Sequence, residues 1–430
     1  MCLINKCWET LFDKYNIENE IDKNGFFYIT SKQINEIKEA RLMTKFDTKE
    51  SLPKIFKNKK IAILPTKRGE YVMGKFQLYE DLPEFSESKD SIISCNFPDY
   101  IETININDIR SEDNAINAML ISGILDDFLD EHEHGMIKTV SGRMSSESFS
   151  FYVNKVGKGN NKTKIDVVNS QLEIDGGFEN NNVFALMEGK NVINNDFLIR
   201  QLYYPYRLWS NKIDKPIRNI FMVYSNNVFK LMEYKFSDLY SYNSLKLVQS
   251  KRYSFEDSNI ELEDLKEIFE KTKIKKEPDV TFIQANSFDK VISLIENLDE
   301  NGLSEMEVAD LFGFDRRQSG YYYNACKYLR LVKKDTFEGE TKIFLTNRGK
   351  SLKNMSYKKR QLSYVEFILE HKIFNDLFKI TLNLGEIPEK SYIIKKMKEL
   401  SLCSDSLLDR RSSSVKGWLS WIFNLVNQNF

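Results

Sequence analysis

The stretch QLEIDGGFENNNVFALMEGKNVINNDFLIRQLYYPYR, residues 171–207, decides the fold. Its first five residues alternate between polar and apolar side chains, which is the period of a half-buried strand. Gly176, Gly177 and the asparagines at 180–182 tolerate positive φ and predict a turn. The apolar run 183–187 predicts a buried strand. The stretch therefore indicates two neighbouring strands joined by a tight turn.

Charged residues follow where the apolar run ends. Glu188 and Lys190 occupy alternate positions and project from one face of the strand tip, and Asp175 lies on the neighbouring strand. Two carboxylates make an oxygen-rich site for a hard divalent cation, most plausibly magnesium. Lys190 can then position or help deprotonate an attacking water and offset charge that develops on a phosphate. The alternative interpretation is a solvent-facing hairpin end.

A helical pattern covers residues 196–209, in which Asp196 is placed to cap the helix and apolar residues can cover the sheet. Gln201 falls on or near the side of the strand tip. This order of strand, turn, strand and helix favours the metal-site interpretation over the hairpin end.

The order Asp175, Glu188-X-Lys190, then RQLYYPYR at 200–207 resembles the PD-(D/E)XK nuclease signature, and in particular a group of bacterial type II restriction endonucleases. The resemblance extends from about residue 38 to the C-terminus. It implies an α/β fold, with a mixed central sheet flanked by helices. It also implies magnesium-dependent, sequence-specific hydrolysis of double-stranded DNA, with one or two Mg²⁺ ions per active site.

The resemblance also implies roles for individual residues. Asp175 and Glu188 would hold the metal, and Lys190 would help to activate water. Some of these nucleases place a Gln and a Tyr four residues apart to support the site. Here Pro205 stands at the tyrosine position, so Gln201 is the supporting candidate and the choice of tyrosine is open. The resemblance further implies a homodimer, at least on DNA, and a companion methyltransferase that protects the host.

Two charged residues upstream are further candidates. Glu112 falls in the first turn of a helix predicted from Ser111, where it is a possible additional metal ligand; stabilisation by the helix N-terminus explains it equally well. Arg143 lies in the run SGRMSSESFSFYV, whose alternating Phe149 and Phe151 predict the first strand of the nuclease sheet. Its guanidinium could meet phosphate or cap a turn.

The segment 303–352 is organised as a helix-turn-helix with a hairpin wing. A short helix, a turn at Gly313 and a helix over 315–331 precede the hairpin 332–345. The N-terminal part of the second helix presents donor-rich side chains suited to base edges and phosphates: Arg316, Arg317, Gln318 and Tyr321. Winged helices also serve as protein–protein modules.

The last seventy residues predict a second helix-turn-helix. Its second helix would expose three basic side chains to DNA: Arg410, Arg411 and Lys416. Trp418, Trp421 and Ile422 recur at helical spacing and predict the core of this unit.

Composition limits the alternatives. The chain has 430 residues, a net charge of −1, five cysteines without a CxxC pair and three histidines. An odd number of scattered cysteines favours free thiols in a reducing compartment, and so few histidines disfavour a histidine-metal nuclease. Neither a long apolar run nor a signal peptide is evident, so we expect a cytoplasmic protein without a membrane partner. The basic excess lies beyond residue 300, with 22 Lys and Arg against 15 Asp and Glu.

These patterns predict four domains: an N-terminal α+β region at 1–100 for target recognition or dimerisation, the nuclease domain at 101–278, a winged helix at 279–355 and a helix-turn-helix-like helical domain at 356–430. Two other functions remain open. A non-enzymatic DNA-binding regulator would use the central fold only as a dimerisation scaffold. A structure-specific repair nuclease would share the active site but cut independently of sequence.

Overall fold

The computed structural model describes residues 2–83, 91–133, 135–157, 161–313, 316–337 and 339–426. It is a mixed α/β structure, as the alternation of helical and strand patterns predicts. No helix in these ranges is long and apolar enough to cross a membrane. The four cysteines whose side chains are described, Cys7, Cys95, Cys326 and Cys403, are free thiols, as expected.

The N-terminal part combines short helices with strands of a five-stranded sheet. Its elements are α1 (Cys2–Lys14), α2 (Ile17–Asn24), β1 (Phe26–Thr30), α3 (Ser31–Asn35), α4 (Ala40–Met43), α5 (Lys54–Lys59), β2 (Ala62–Lys67), β3 (Glu70–Gly74), β4 (Tyr79–Asp81) and β5 (Ile93–Ser94). Apolar side chains of the helices and of one sheet face form a separate core around Trp8 and Phe56.

The central part carries a seven-stranded sheet. Its elements are α6 (Glu112–Ile121), α7 (Ile124–Leu129), β6 (Ile137–Ser145), β7 (Ser148–Asn154), β8 (Lys162–Val168), β9 (Gln171–Glu179), β10 (Phe184–Lys190), β11 (Asp196–Leu198), α8 (Arg200–Trp209), β12 (Ile217–Ser225), β13 (Val228–Phe236), β14 (Leu245–Ser254) and α9 (Leu262–Lys271). The sheet order is β5-β14-β13-β12-β10-β9-β6, and β10 and β12 are parallel. Strands β7 and β8 instead complete the five-stranded sheet, β1-β3-β2-β8-β7.

The C-terminal part is mainly helical, with a small sheet ordered β15-β17-β16. Its elements are α10 (Phe288–Asn297), β15 (Leu303–Ser304), α11 (Glu305–Leu311), α12 (Arg316–Tyr328), β16 (Val332–Phe337), β17 (Glu340–Leu345), α13 (Asn347–Lys353), α14 (Tyr357–Leu369), α15 (Lys372–Leu384), α16 (Lys390–Glu399) and α17 (Asp405–Asn424). Trp418 is fully buried and its indole N–H donates to the carbonyl of Ala285, so it is a core residue, as predicted.

Helix α8 lies between the two large sheets. Its Tyr204 hydroxyl donates to the carbonyl of Pro65 on β2, and its Tyr203 packs against Phe149 and Phe151 of β7. The opposite face of α8 covers β9, β10 and β12. One hydrophobic core therefore runs from the five-stranded sheet through α8 and the seven-stranded sheet into the C-terminal helices. Helices α6 and α7 cover the other face of the seven-stranded sheet.

The glycine pair is not a turn, contrary to the prediction. Gly176 and Gly177 lie inside β9, and the chain reverses at Asn180, whose side-chain oxygen accepts from two backbone N–H groups. On β6 the register advances two residues, from Val140 to Gly142, while on β9 it moves three, from Gly177 to Ile174. This extra residue is a β-bulge, which turns the β9 side chains to the other face.

Two further elements differ from the prediction. Asp196 does not cap a helix; it lies in β11, and its buried carboxylate accepts from the backbone N–H of Lys49. The helix begins at Arg200 instead. Phe149 and Phe151 belong to the five-stranded sheet and pack on α8, so the first strand of the sheet that carries Asp175 is β6. In both cases remote partners outweigh a local pattern.

Substitution of Gly176 tests the bulge. A Cβ there would lie 2.6 Å from the ring of Phe178, so we expect Gly176→Ala to destabilise the protein by about 1 to 3 kcal/mol. At Gly320 of α12 an added Cβ would meet no atom within 4 Å. Gly320→Ala should therefore raise the free energy of unfolding by up to about 1 kcal/mol, because alanine has the higher helix propensity. Urea denaturation measures both changes. Equal stability of Gly176→Ala and the parent would contradict this packing.

A buried carboxylate links the segment after α9 to the C-terminal helices. The Glu370 side chain is 5 % exposed and accepts from Lys275 at 2.6 Å and from Arg348 at 2.7 Å. Burial acts to raise the pKa of Glu370, but these two hydrogen bonds outweigh it and hold the pKa below its ordinary value of 4.5. The folded state therefore favours the ionised form.

This interaction should make stability depend on pH. Because the pKa of Glu370 is lower in the folded state, its stabilisation is present above the unfolded pKa and is lost as pH falls through the folded pKa. We expect Glu370→Gln to cost about 1 to 3 kcal/mol at neutral pH and almost nothing once the pH lies below the folded pKa of Glu370. Thermal or urea unfolding across this pH range measures it. Glu366→Gln, at an exposed position of α14, is the control; an equal effect there would contradict the prediction.

Candidate functional site

The site begins where the β9–β10 ladder ends. The last paired residues are Met187 and Gly176, so Glu188 and Asp175 are the next cross-strand neighbours. There the backbone N–H of Gly189 donates to Oδ2 of Asp175 at 2.9 Å. The Asp175 carboxylate thus accepts the hydrogen bond that a backbone carbonyl of the neighbouring strand would otherwise accept. Asp175 lies within the β9 bulge, between the pairs Gly142–Ile174 and Val140–Gly177. The predicted convergence of Asp175 and Glu188 follows from this geometry.

Glu188 and Lys190 form a buried ion pair. The Lys190 Nζ donates to Oε1 of Glu188 at 2.6 Å and to the carbonyl of Gly189 at 3.0 Å. The Glu188 side chain is 9 % exposed and that of Lys190 18 %. Since β10 stays paired with β12 through Lys190, both residues lie within a strand, not beyond its tip. The structure therefore argues against a solvent-facing hairpin end.

Gln201 adds the third contact. Its Nε2 donates to the same Oε1 of Glu188, from the first turn of α8. Its Oε1 is buried and has no hydrogen-bond partner among the described residues. Gln201 therefore supports Glu188, as expected, and holds a spare acceptor beside it. Tyr204 does not join this site because its hydroxyl bonds Pro65.

Glu112 lies at the edge of the same site. Ser111 caps α6 by accepting from the backbone N–H of Asn114, which places Glu112 in the first turn, as predicted. Burial raises the pKa of Glu112, Lys190 opposes this shift, and Asp175 adds to it. Glu112 is thus an electrostatic neighbour of the other two. Within the described residues, however, no three His, Cys, Asp or Glu side chains are close enough together to form a ready metal cluster.

Three carboxyl groups surround one ammonium at this site, and the pKa values of Glu188 and Lys190 shift in response. Burial raises the pKa of Glu188 to about 8, against the effect of Lys190 and with an added contribution from Asp175. For Lys190, burial acts to lower the pKa, but Glu188, Glu112 and Asp175 outweigh it and raise the pKa above its ordinary value. The raised pKa favours the ammonium form of Lys190, which is a hydrogen-bond donor; its part in activating water stays a prediction.

Two charged residues of the N-terminal part influence the carboxyl groups of the site, which the sequence patterns did not indicate. Asp47 is among the groups that raise the pKa of Glu188, after burial and Asp175, and Lys45 is among those that lower the pKa of Glu112, after Lys190. The sequence separation between these residues is large, so no local pattern could place them together.

The predicted base-reading residues of α12 do not share one exposed face. Arg317 is exposed, whereas Gln318 is half-buried with its Oε1 enclosed and without a hydrogen bond. The side chain of Arg316 lies outside the described residues, as does Asp315. With the Gln284 amide oriented to satisfy its neighbours, the Tyr321 hydroxyl donates to Oε1 of Gln284 at 3.3 Å. Tyr321 is therefore engaged inside the protein.

The other predicted DNA contacts also differ in their surroundings. Arg410 donates to the same Gln284 oxygen at 2.8 Å and lies over the Tyr321 ring, so it joins α17 to α12. Arg411 is buried, at 8 % exposure beside Cys403, and the prediction that it is exposed is wrong. Its position on α17 faces the core. Lys416 is exposed, as predicted. Arg143 is exposed and pairs with Glu173, its ladder partner on β9; it does not cap a turn.

Comparison with known proteins gives families but no activity. Residues 5–73, 74–254 and 290–427 match three family models, each described as a domain of unknown function: DUF6996, DUF6997 and DUF7226. No curated protein and no solved structure matches the chain. The second family contains the whole Asp175–Glu188–Lys190 site, while Lys45 falls in the first and Arg317 in the third.

Proposed function

We propose that the protein is a metal-dependent, sequence-specific endonuclease of double-stranded DNA, a type II restriction endonuclease of the PD-(D/E)XK superfamily. The observation that carries the proposal is the convergence of Asp175, Glu188 and Lys190 on one face of a strand pair, with Gln201 bonded to Glu188. A scaffold has no use for a buried carboxylate that is costly to ionise, since strained electrostatics concentrate at functional sites. The sheet flanked by α6 and α7 on one face and α8 on the other is the arrangement that the sequence resemblance implies.

The donor set fits a hard divalent cation such as Mg²⁺. Asp175 and Glu188 would hold it, with Glu112 as a third carboxylate from α6 and the unpartnered Oε1 of Gln201 available to a metal-bound water. The bound metal would polarise the scissile phosphate and lower the pKa of a water. One or two ions per site are compatible with three carboxylates.

The protein side chains have separate tasks in this proposal. Lys190, held by Glu188, donates to the phosphate or to the attacking water and offsets charge in the transition state. Gln201 fixes the Glu188 carboxylate through its amide, so the carboxylate does not rotate when substrate enters. Enclosure by α8 keeps bulk water from screening these charges.

The C-terminal part supports DNA recognition. Elements α11, α12 and the hairpin β16–β17 have the order of a winged helix, and Gly313 takes the positive φ of +63° in its turn. The accessible face of α12 carries Arg317, Gly320, Asn324 and Lys327. Arginine and asparagine are suited to guanine and adenine edges in the major groove. We assign base reading to this face, and phosphate contact to Lys416.

Double-strand cleavage at one sequence requires two active sites. The proposal therefore includes a homodimer, formed at least on DNA, and a companion DNA methyltransferase that protects the host genome. Both follow from the resemblance and from the chemistry of cutting two strands.

One observation favours a non-enzymatic DNA-binding regulator as a second candidate. The described residues hold no preformed cluster of three metal-binding side chains, and for a regulator the acidic site is purely structural. In that case the winged-helix elements would carry the whole function and the central sheets would be a scaffold.

Plasmid cleavage separates these candidates. With Mg²⁺ or Mn²⁺ the parent should give discrete fragments, whereas Lys190→Ala and Asp175→Ala should cut at least about 100-fold more slowly because each removes transition-state stabilisation. Lys164→Ala is the matched control, since Lys164 is an exposed lysine paired with Asp166 on β8. Melting temperatures should confirm that each variant is folded.

Three other results would point elsewhere. No cleavage under any divalent metal, with DNA binding unaffected by Lys190→Ala, would favour the regulator. Fragments whose ends share no sequence would indicate a structure-specific nuclease. Cleavage by Asp175→Ala at the parental rate would contradict the proposed metal site.

Sequencing the ends of cleaved plasmid tests the reading surface. We expect Arg317→Ala to relax preference at one base pair, at a cost of about 1 to 3 kcal/mol, because a bidentate contact to a base edge is lost. Lys416→Ala should instead weaken binding to all sequences alike and reduce the salt slope by about one. Unchanged selectivity in both Arg317→Ala and Asn324→Ala would move recognition to the N-terminal part. Point variants are preferable to truncation near residue 280 because the C-terminal helices share a core with the catalytic sheet.

A further inference from the structure

Two glycines leave space at the ends of β9 and β10 on the face that α6 covers. Gly176 and Gly189 each directly follow one of the two candidate metal ligands in the sequence. A Cβ on Gly189 would lie 3.2 Å from Cδ1 of Ile116, and a Cβ on Gly176 would lie 3.6 Å from Cγ2 of the same residue. Ile116 belongs to α6 and is fully buried. Its side chain therefore packs into the space that both glycines leave open.

The side chains of β10 alternate between its two faces. Met187 contributes to the core under α6 and α7, whereas the carboxylate of Glu188 bonds Gln201 of α8 on the other face. Gly189 thus lies on the same face as Met187. Because α6 covers the face opposite to Glu188, a side chain of α6 can meet this carboxylate only at the end of the strand.

The first turn of α6 lies at that end of β10. The Nδ2 of Asn191, directly after Lys190, donates to the carbonyl of Arg110 at 2.9 Å, just before the helix begins. Glu112 stands one turn before Ile116 and on the same face of α6. Glu112 is therefore brought towards the strand end by this hydrogen bond and by the packing of Ile116. The effect of Lys190 on the pKa of Glu112 agrees with this placement.

A side chain at position 189 would disturb this packing. Carbon atoms in ordinary contact are about 3.5 to 4.0 Å apart, so a methyl group 3.2 Å from Ile116 requires a shift of a few tenths of an ångström. Buried side chains are close-packed and have little room to rotate away, so part of the shift falls on α6. Within the described residues no three metal-binding side chains form a ready cluster, so Glu112 must approach when an ion binds. An outward displacement of α6 lengthens that approach.

We propose that Gly189 is a positioning residue, whose lack of a side chain lets α6 lie close enough for Glu112 to join Asp175 and Glu188 around a divalent cation. The inference rests on the proposed function and deepens it, since it gives a role to the middle residue of Glu188-X-Lys190. Gly189 acts through Ile116 and α6, and its own atoms need not touch metal or substrate. A small displacement of a ligand is costly because metal sites require defined distances.

Calorimetric titration of the full-length protein with Ca²⁺, without DNA, measures this effect, since Ca²⁺ takes the same oxygen ligands. We expect Gly189→Ala to raise the Kd for Ca²⁺ about tenfold, because α6 moves outward. Ile116→Val removes the Cδ1 atom that the new methyl group meets. The double variant Gly189→Ala with Ile116→Val should therefore recover most of the affinity, which a general loss of packing would not do.

Two further variants show whether the effect passes through Glu112. Glu112→Gln should raise the Kd by a similar factor, and adding Gly189→Ala to it should cause no further loss, because the two changes remove the same contact. Ile124→Val, in the same core but on α7, is the control for lost stability. It should bind Ca²⁺ within about twofold of the parent, and melting temperatures should show the stability change of each variant.

Plasmid cleavage with Mg²⁺ separates this inference from the proposed function. If the calcium affinities follow the expected pattern but the parent cuts no DNA, the nuclease proposal fails and the role of Gly189 stands. If the parent cuts and Gly189→Ala binds Ca²⁺ as well as Ile124→Val does, the role of Gly189 is wrong. It is equally wrong if Ile116→Val restores nothing, if the losses in Gly189→Ala and Glu112→Gln add, or if the parent binds no Ca²⁺.

Discussion

The bond between the Gln201 amide and the Glu188 carboxylate is the contact on which the arrangement of the centre depends. A buried carboxylate is tolerated only when its oxygens are hydrogen-bonded, and Glu188 has Lys190 from its own strand and Gln201 from α8. The first donor is local and needs no particular fold. The second requires α8 to begin at Arg200 and to lie across β10, so the position of the helix and the state of Glu188 depend on each other.

That position is set from outside the seven-stranded sheet. Tyr204 bonds β2 of the other sheet, and β11, just before the helix, is held by β4 and by the segment that carries Asp47. Helix α8 is therefore fixed on both sides before any ligand binds. Such a supporting shell reduces the motion of the Gln201 amide, which the proposed chemistry requires because small displacements of a supporting group are costly.

Local patterns predicted the parts of the site that depend on neighbouring residues. Alternation in 171–175, the apolar run that follows and the Glu188-X-Lys190 spacing all correspond to real strand positions. The turn predicted at Gly176 and Gly177 was wrong because glycine suits both a turn and a closely packed strand. Only the structure shows that the Phe178 ring fills the space where a Cβ of Gly176 would lie. Asp196 was misread because its partner, the N–H of Lys49, comes from a remote segment that no local pattern reveals.

The helix α12, to which we assign base reading, could be predicted from sequence, but the residues of it that face outward could not. Helical periodicity separates apolar from polar positions, yet it does not show which polar positions another part of the chain covers. Here Gln284, from the segment before α10, accepts hydrogen bonds from both Tyr321 and Arg410, although Arg410 itself stays exposed. The accessible face is consequently displaced towards Asn324 and Lys327. Buried polar groups must find hydrogen-bond partners, so a polar side chain of a helix can stabilise the contact between two parts of the chain. Composition alone does not distinguish such a side chain from one that contacts DNA bases.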